Sequence, residues 1–183
     1  MKIPHLLFAA CLFPVLSLRA ADHKLTADNT TIKFVGSKKD GKHEGTFKKL
    51  DGTLSLNDAD VSKSKLEVTI EIDSLTADAR MLTSHLKSPD FFDAKRFPQA
   101  KFVSTSIKPD SKTKGAYVVS GSLTMHGKSH PVSFPANAVA ATDGTTTVTS
   151  QFEINRHDWD ISYSKGKIND AVKLTLEVIL KLK

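Results

Sequence analysis

Apolar and polar residues alternate with a period of two along most of the chain. The segments 65–73, 117–125 and 172–182 each carry apolar side chains at nearly every second position, with mainly polar or small side chains between them. Because successive side chains of a β-strand point to opposite faces, this alternation predicts strands with one apolar and one solvated face.

Five further segments alternate less strictly and are also expected to be strands, which brings the total to about eight. They are 31–37, 43–56, 99–107, 131–140 and 145–154, and the second is expected to bend near Leu50. Turn-forming residues separate the strands at Lys39-Asp40-Gly41, Asn57-Asp58, Pro109-Asp110, His126-Gly127 and Asp143-Gly144. The short turns predict an antiparallel arrangement.

One region departs from the period of two. Apolar residues fall at helical spacing within 77–87, and Ser88 followed by Pro89 is a typical start of a helix. We therefore expect two short helices, at 77–87 and 89–94. Together with the strands, they predict an all-β fold, mainly an antiparallel eight-stranded β-barrel with a short helical insertion, since closing the sheet removes its exposed edges.

A barrel of this size is either filled by its own side chains or able to hold one small ligand. Small residues share the parity of the large apolar ones, at Gly36, Gly52, Gly121, Ala136, Ala138 and Ala140. They indicate either unfilled space inside the barrel or bends and bulges in the strands. If the space is open, its walls predict an apolar, elongated ligand, for which burial of ten methylenes contributes roughly 8 kcal/mol before ordering costs.

The first 21 residues have the layout of a secretory signal peptide. A positive start is followed by an apolar run and by the small residues Ala20 and Ala21, so we expect residues 1–21 to be removed and 22–183 to form one domain. An alternative lipoprotein site at Cys11 fits less well, because the apolar run continues beyond it. These features predict export to the periplasm.

Composition excludes some function classes. Without Lys2 and Arg19, the exported chain has 24 basic and 20 acidic residues, a net charge of +4 that does not call for a nucleic-acid partner. Cys11 is the only cysteine, so the exported domain has no disulfide. Neither a Gly-rich phosphate loop nor a nucleophile elbow is present, and we do not expect an enzyme.

Three long segments resemble the YceI-like family of exported bacterial proteins. They are "HEGTFKKLDGTLSL", "HLKSPDFFDAKRFPQAKFVSTSI" and "VSGSLTMHGKSHPVSF", and "INRHDWDISY" is similar to a motif of one branch of the family. The resemblance covers residues 28–183. It implies a lipocalin-like barrel that binds a long-chain isoprenoid or similar amphiphilic lipid, as a periplasmic carrier or storage protein without catalysis. A quinone or its precursor is one ligand of this class. The chain departs from the family at Met81, where an acidic residue often follows Arg80.

The candidate site residues follow from the apolar parity and the aromatic residues. Those expected to line the lumen are Phe34, Phe47, Leu54, Val68, Ile70, Phe91, Phe92, Phe97, Phe102, Leu123, Phe134 and Phe152. Those expected near a polar head group are Arg80, His85, Arg156 and Trp159, with Arg80 and His85 directed at one spot. No metal site and no cofactor other than the lipid are expected. We expect transient contact with inner-membrane proteins or the membrane surface, and the oligomeric state is left open, with a homodimer as one alternative.

Two other functions remain open at this stage. One is a solid barrel that serves as a stress-related protein-interaction module. The other is a metal-binding or catalytic barrel that uses His85, His126 or His130, although no compact metal-ligand spacing is present.

Overall fold

A computed structural model of the chain describes residues 21–57 and 59–181, which form eleven β-strands, one α-helix and three short 3-10 helices. The strands are β1 (Ala21–Thr26), β2 (Thr30–Lys38), β3 (Gly41–Phe47), β4 (Leu50–Leu56), β5 (Lys65–Glu71), β6 (Leu75–Ala77), β7 (Gln99–Pro109), β8 (Ala116–Met125), β9 (Lys128–Ala140), β10 (Thr145–Asn155) and β11 (Ala171–Lys181). The α-helix, α1, covers Arg80–Leu86, and the 3-10 helices cover Val61–Lys63, Ile72–Ser74 and Arg156–Trp159.

The strands form one antiparallel sheet that curls on itself, which confirms the predicted fold, although the structure has eleven strands and not eight. Hydrogen-bonded neighbours follow the order β1-β4-β5-β7-β8-β9-β10-β11-β2-β3-β6. Six strands are halves of three longer ones, because β1 continues into β2, β3 into β4 and β5 into β6 across short breaks. The sheet thus has eight positions around the barrel, and pairing of β11 with β2 closes it.

The breaks occur where side chains take over backbone hydrogen bonds. Between β3 and β4, the amides of Lys48 and Lys49 donate to the Ser74 hydroxyl at 3.2 and 3.0 Å. Between β1 and β2, the Asn29 side chain accepts a hydrogen bond from the Thr26 amide at 2.9 Å. Because these amides find partners locally, the strands bend without leaving buried backbone groups unpaired. The bend predicted within 43–56 is confirmed.

The predicted turn between β8 and β9 is a two-residue hairpin. His126 and Gly127 both have positive φ, of 50° and 76°. This conformation matches the twist of the flanking strands, and glycine adopts it without steric cost. The sequence signal for this turn is therefore confirmed.

The helical region is shorter than predicted. Segment 89–94 forms a series of turns, and the second helix predicted there is wrong. The amides of Phe91 and Asp93 both donate to the Ser88 carbonyl, at 3.0 and 2.9 Å. Asp93 has a left-handed φ of 44°, a conformation that ends a helix and does not extend it.

The prediction for the N-terminus lies outside the described residues. It concerns the signal peptide at 1–21 and the lipoprotein alternative at Cys11, and of these residues the structure describes only Ala21, at the start of β1. Within 21–57 and 59–181, every helix is too short or too polar to cross a bilayer.

The small residues on the inward-facing side of the strands do not all leave open space in the barrel. Open space was one of the two explanations that the sequence allowed for them. A side chain at Gly121 would collide with the Phe102 ring, and one at Gly45 would collide with the Phe34 ring. These glycines allow aromatic rings to lie against the sheet. Gly36 differs, since a Cβ there would meet no atom within 4 Å.

Three irregular segments gather at one end of the barrel. Strands β2, β6, β8 and β10 run in the same direction, since each is separated from the next by antiparallel neighbours. The β2–β3 turn, α1 and the connection 156–170 follow β2, β6 and β10, so all three lie at the same end, which we call the mouth end.

Candidate functional site

The barrel encloses a cavity of about 390 Å³ that the side chains of the described residues do not fill. It is closed at its deep end by Leu25 and Thr30, which are 1% and 6% exposed. At the mouth end its lining includes exposed residues such as Lys38, His43 and Tyr163. Among the described residues, the cavity is therefore an apolar channel whose entrance at the mouth end carries polar side chains, and the interior is not the solid one of the alternative interpretation.

Most of the predicted lumen residues lie around this cavity. Ten of the twelve form part of its wall: Phe34, Phe47, Val68, Ile70, Phe91, Phe92, Phe102, Leu123, Phe134 and Phe152. The rings also pack on one another, since Phe134 stacks on Phe152 with centroids 4.5 Å apart and lies 5.5 Å from Phe102. These side chains therefore both build the core and face the open space, and their contact with a ligand stays a prediction.

Two predicted lumen residues lie elsewhere. Leu54 packs among side chains of the apolar clusters around Leu25 and Phe102 and does not border the cavity. The Phe97 ring lies 4.8 Å from the His126 ring, at the β8–β9 turn, and Gly127 leaves room for it. Parity alone does not separate packed side chains from lining ones, so these two predictions are wrong.

The polar side of the entrance is built around His85, whose contact with a head group stays a prediction. Its Nε2 donates a hydrogen bond to the Asp90 carboxylate at 2.9 Å. Its ring contacts the edges of Phe91 and Tyr163, at centroid distances of 5.0 and 4.8 Å. Because the imidazole and the phenol are both partly exposed while Phe91 is buried, polar atoms meet the apolar channel at this point.

A second histidine lies on another side of the entrance. His43 Nδ1 donates to the Asp78 carboxylate at 3.0 Å, and this bond lowers the pKa of Asp78 below its usual range. The bond ties the β2–β3 hairpin to the residues just before α1. The entrance is thus framed by the hairpin, by α1 and by the connection that contains Tyr163.

Arg156 borders the cavity but does not serve as the free head-group contact that the sequence predicted. It is 4% exposed, and its guanidinium donates four hydrogen bonds to backbone carbonyls. The acceptors are Asn169, Ile161, Tyr163 and Ile168, at 3.1, 2.7, 3.0 and 3.2 Å. Burial lowers the pKa of the guanidinium below its usual value, and the nearby Asp170 carboxylate opposes this effect only in part. Arg156 therefore holds the connection 161–169 in place.

Arg80 and Trp159 are also placed differently from the prediction. Arg80 is exposed and does not border the cavity. Since residues five apart on an α-helix point to different sides, the Arg80 side chain points away from His85. Trp159 is 1% exposed, and its Nε1 donates to the Leu123 carbonyl at 3.0 Å. It packs at the mouth end, the same end as α1, as a buried plug.

Several cavity residues were missed from the sequence. On β11 they are Val172, Leu174, Leu176 and Val178, which had been recognised as one face of a strand and could have been found from that parity. Tyr163 and Ile168 lie in the connection before β11, where no periodic signal exists. Tyr163 is placed in part by contacts with distant residues, since its ring packs on the rings of His85 and Phe91.

The histidines of the metal-binding alternative do not converge. His85 pairs with Asp90, His126 Nδ1 donates to the Trp159 carbonyl at 2.9 Å, and the His130 ring lies 5.4 Å from the Trp159 ring. Within 21–57 and 59–181, no group of three or more metal-ligating side chains is gathered at one point.

Comparison with known proteins gives a consistent result. The YceI-like domain family matches residues 23–180. Protein YceI of Escherichia coli O17:K52:H18 (strain UMN026 / ExPEC) is 29% identical, over 94% of this chain and 93% of its own. The crystal structure of Burkholderia cenocepacia BcnA is 25% identical with a TM-score of 0.76, and covers 82% of this chain and 96% of its own.

A third relative shows the fold at lower identity. The structure of a polyisoprenoid binding domain from Saccharophagus degradans, implicated in plant cell wall breakdown, has a TM-score of 0.68 at 14% identity. It covers 90% of this chain and all of its own. Since the family match spans nearly all described residues and the barrel agrees with it, the chain belongs to the YceI-like family.

Proposed function

We propose that this protein binds one long-chain isoprenoid, or a similar amphiphilic lipid, inside the barrel. The observation that carries the proposal is the apolar cavity inside the barrel, with polar side chains at its mouth-end entrance. An apolar tail would lie along the wall formed by β2, β10 and β11, and a polar head group would lie near His85 and Tyr163. The polyisoprenoid-binding domain of the same fold supports this ligand class by analogy.

The size of the cavity supports the presence of a ligand on energetic grounds. Unfilled apolar space inside a protein is destabilising because its lining forgoes packing contacts, and the cavity here measures about 390 Å³. Water would fill the space poorly, because the wall offers few polar partners. An apolar ligand removes this cost and requires no catalytic group, so we propose a binding role without chemistry.

The cellular role is the finer part of the proposal. We place the protein in the periplasm, on the basis of the signal-peptide layout of residues 1–21, and assign it lipid carriage or storage. We propose a quinone or its precursor as one ligand of this class, with its apolar tail in the cavity and its polar ring at the entrance. Cell fractionation with N-terminal sequencing of the recovered protein tests the location: an intact N-terminus in the cytoplasmic fraction contradicts it.

The ligand is tested directly by extraction. Protein purified from a bacterial host is extracted into organic solvent and analysed by mass spectrometry. We expect close to one prenyl or acyl lipid per chain, and a clean extract contradicts the proposal. Ultraviolet absorbance of the same extract separates a prenylquinone, which absorbs, from a saturated or polyprenyl alcohol, which does not.

A further inference from the structure

Three segments form a continuous rim around the entrance of the cavity. They are 37–43 in the β2–β3 hairpin, 78–86 with α1, and 162–169 before β11, and each contributes side chains to the cavity wall. We call these three segments the rim.

The rim segments are joined by direct contacts. Asn169 Nδ2 donates to the Ser37 hydroxyl at 2.9 Å, which joins the third segment to the hairpin. The rings of His85 and Tyr163, 4.8 Å apart, join α1 to the third segment. The hydrogen bond between His43 and Asp78 joins the hairpin to the residues before α1. The rim is therefore one connected surface.

This surface carries the net charge of the described residues. Its cations are Lys38, Lys39, Lys42, Arg80, Lys165 and Lys167, against the carboxylates of Asp40 and Asp78, which gives +4. Residues 21–57 and 59–181 contain 23 basic and 19 acidic side chains, also +4. Outside the rim the two signs cancel, with 17 of each. Two of those acids, Glu44 and Asp90, contact Lys42 and His85 of the rim, so the net charge around the entrance is +2 when they are included.

Most of the rim cations are free to meet a partner. Lys42 forms an ion pair, at 2.7 Å, with Glu44, a residue just outside the rim. The other five have exposed side chains and form no salt bridge with the described residues. Because solvent screens charges beyond roughly 10 Å at 0.1 M salt, such a cluster acts mainly on a surface that touches it.

An apolar side chain protrudes from the same surface. Met81, in the first turn of α1, is 86% exposed, the highest exposure among the large hydrophobic residues that the structure describes. Tyr163, 40% exposed, lies in the third segment of the same rim. Basic residues that surround protruding apolar and aromatic side chains are typical of surfaces that bind the interface of a bilayer.

We propose that the rim docks on an anionic phospholipid bilayer, with Met81 inserted among the head groups and the entrance of the cavity facing the membrane. This inference rests on the proposed function, because it gives the route by which a lipid enters and leaves the same cavity without crossing water. Anionic phospholipid supplies the charge complementary to the rim, and the apolar interior of the bilayer accommodates Met81.

Vesicle binding of matched variants tests the docking. Vesicles contain either phosphatidylcholine alone or phosphatidylcholine with one third phosphatidylglycerol, and bound protein is measured by co-sedimentation at low and high salt. Lys165→Gln with Lys167→Gln neutralises two cations of the rim. Lys112→Gln with Lys114→Gln removes the same charge from the exposed β7–β8 turn at the opposite end of the barrel. All variants keep the same N-terminus, so any effect of residues 1–20 is common to them.

We expect the unchanged protein to bind the anionic vesicles and to lose this binding at high salt. The rim variant should bind about thirty-fold more weakly, at a factor of roughly five per lysine, while the opposite-end variant is little changed. Met81→Ser should weaken binding further at low salt. Equal losses in the two double variants, or no preference for anionic vesicles, would overturn the inference.

The same preparations separate this inference from the proposed function. Their lipid content is measured by extraction, and their folding by circular dichroism. Bound lipid without selective vesicle binding rejects the docking surface and leaves the lipid-binding function standing. Vesicle binding through the rim in a protein that never retains lipid rejects the function and leaves the docking surface in place.

Discussion

Two regions at the mouth end of the barrel are built from similar residues, yet one is sealed and the other opens into the cavity. In the sealed region, Trp159 is buried, its N–H bonds to the Leu123 carbonyl, and its own carbonyl accepts from His126. In the open region, His85 and Tyr163 stack edge to face but remain partly exposed. Aromatic and histidine content therefore does not decide which region binds. What distinguishes them is burial, since Trp159 is 1% exposed whereas Tyr163 is 40% exposed and borders the cavity.

The largest effect is expected from removing the plug of the sealed region. Trp159→Ala should lower the free energy of unfolding by about 4 kcal/mol, because it deletes a buried indole and leaves the Leu123 carbonyl without its donor. Urea unfolding measures the loss. A change below about 1 kcal/mol would mean that the region tolerates a cavity there and is not sealed by packing.

The second-largest loss of stability is expected from replacing Arg156, which holds the connection 161–169 in place. Arg156→Met keeps much of the side-chain volume but removes four N–H donors from the carbonyls of the connection 161–169, and we expect a loss of about 3 kcal/mol. The control, Arg80→Met, alters an exposed arginine and should stay within about 0.5 kcal/mol. Similar losses in both variants in urea unfolding would show that the buried hydrogen bonds are not the cause.

In the open region, the expected effect shifts from stability to ligand exchange. Tyr163→Ala removes one side of the entrance and should cost about 1 kcal/mol, since the phenol is 40% exposed. Release of bound lipid into acceptor vesicles should become several-fold faster. Tyr117→Ala, on β8 at the opposite end, deletes the same side chain and should leave the release rate unchanged. Equal release rates in the two variants would contradict an entrance at the mouth end.

The smallest expected effect is on the loss of stability at acidic pH. The hydrogen bond from His43 lowers the pKa of Asp78 in the folded protein, so its stabilising contribution is present above about pH 4 and is lost as the pH falls through the lower, folded value. In Asp78→Asn this part of the pH dependence should disappear, and in His43→Gln it should shrink. Unfolding measured at pH 5 and at pH 3 gives the comparison; an unchanged pH dependence in Asp78→Asn would contradict the assignment.

Local patterns predicted the barrel and most of its wall. Alternation along a strand decides which side chains point inward, so Val68, Ile70 and Phe134 were placed from the sequence alone. The His126-Gly127 turn was predicted for a similarly local reason, because its dihedral angles suit these two residues.

Long-range contacts account for what the sequence did not reveal. Trp159 bonds to a carbonyl 36 residues away, and this contact makes it a plug and not a head-group residue. Phe97 packs against the β8–β9 turn and not the lumen, although it carries the same sequence signal as Phe92. The alternation predicted the bend within 43–56 but missed the short strands β1 and β6. At the predicted bend, the group that satisfies the backbone amides is the Ser74 hydroxyl, which comes from a distant position of the chain.

Adjacent residues of β11 offer the most direct test of the account, that the barrel cavity is the lipid site. Val178 borders the deep part of the cavity, whereas Ile179 points outward and is 44% exposed. In Val178→Trp the indole occupies the space of the ligand, so purified protein should carry several-fold less lipid, whereas Ile179→Trp should carry as much as the unchanged protein. Equal lipid content in the two folded variants, measured by extraction and mass spectrometry, would contradict binding inside the barrel.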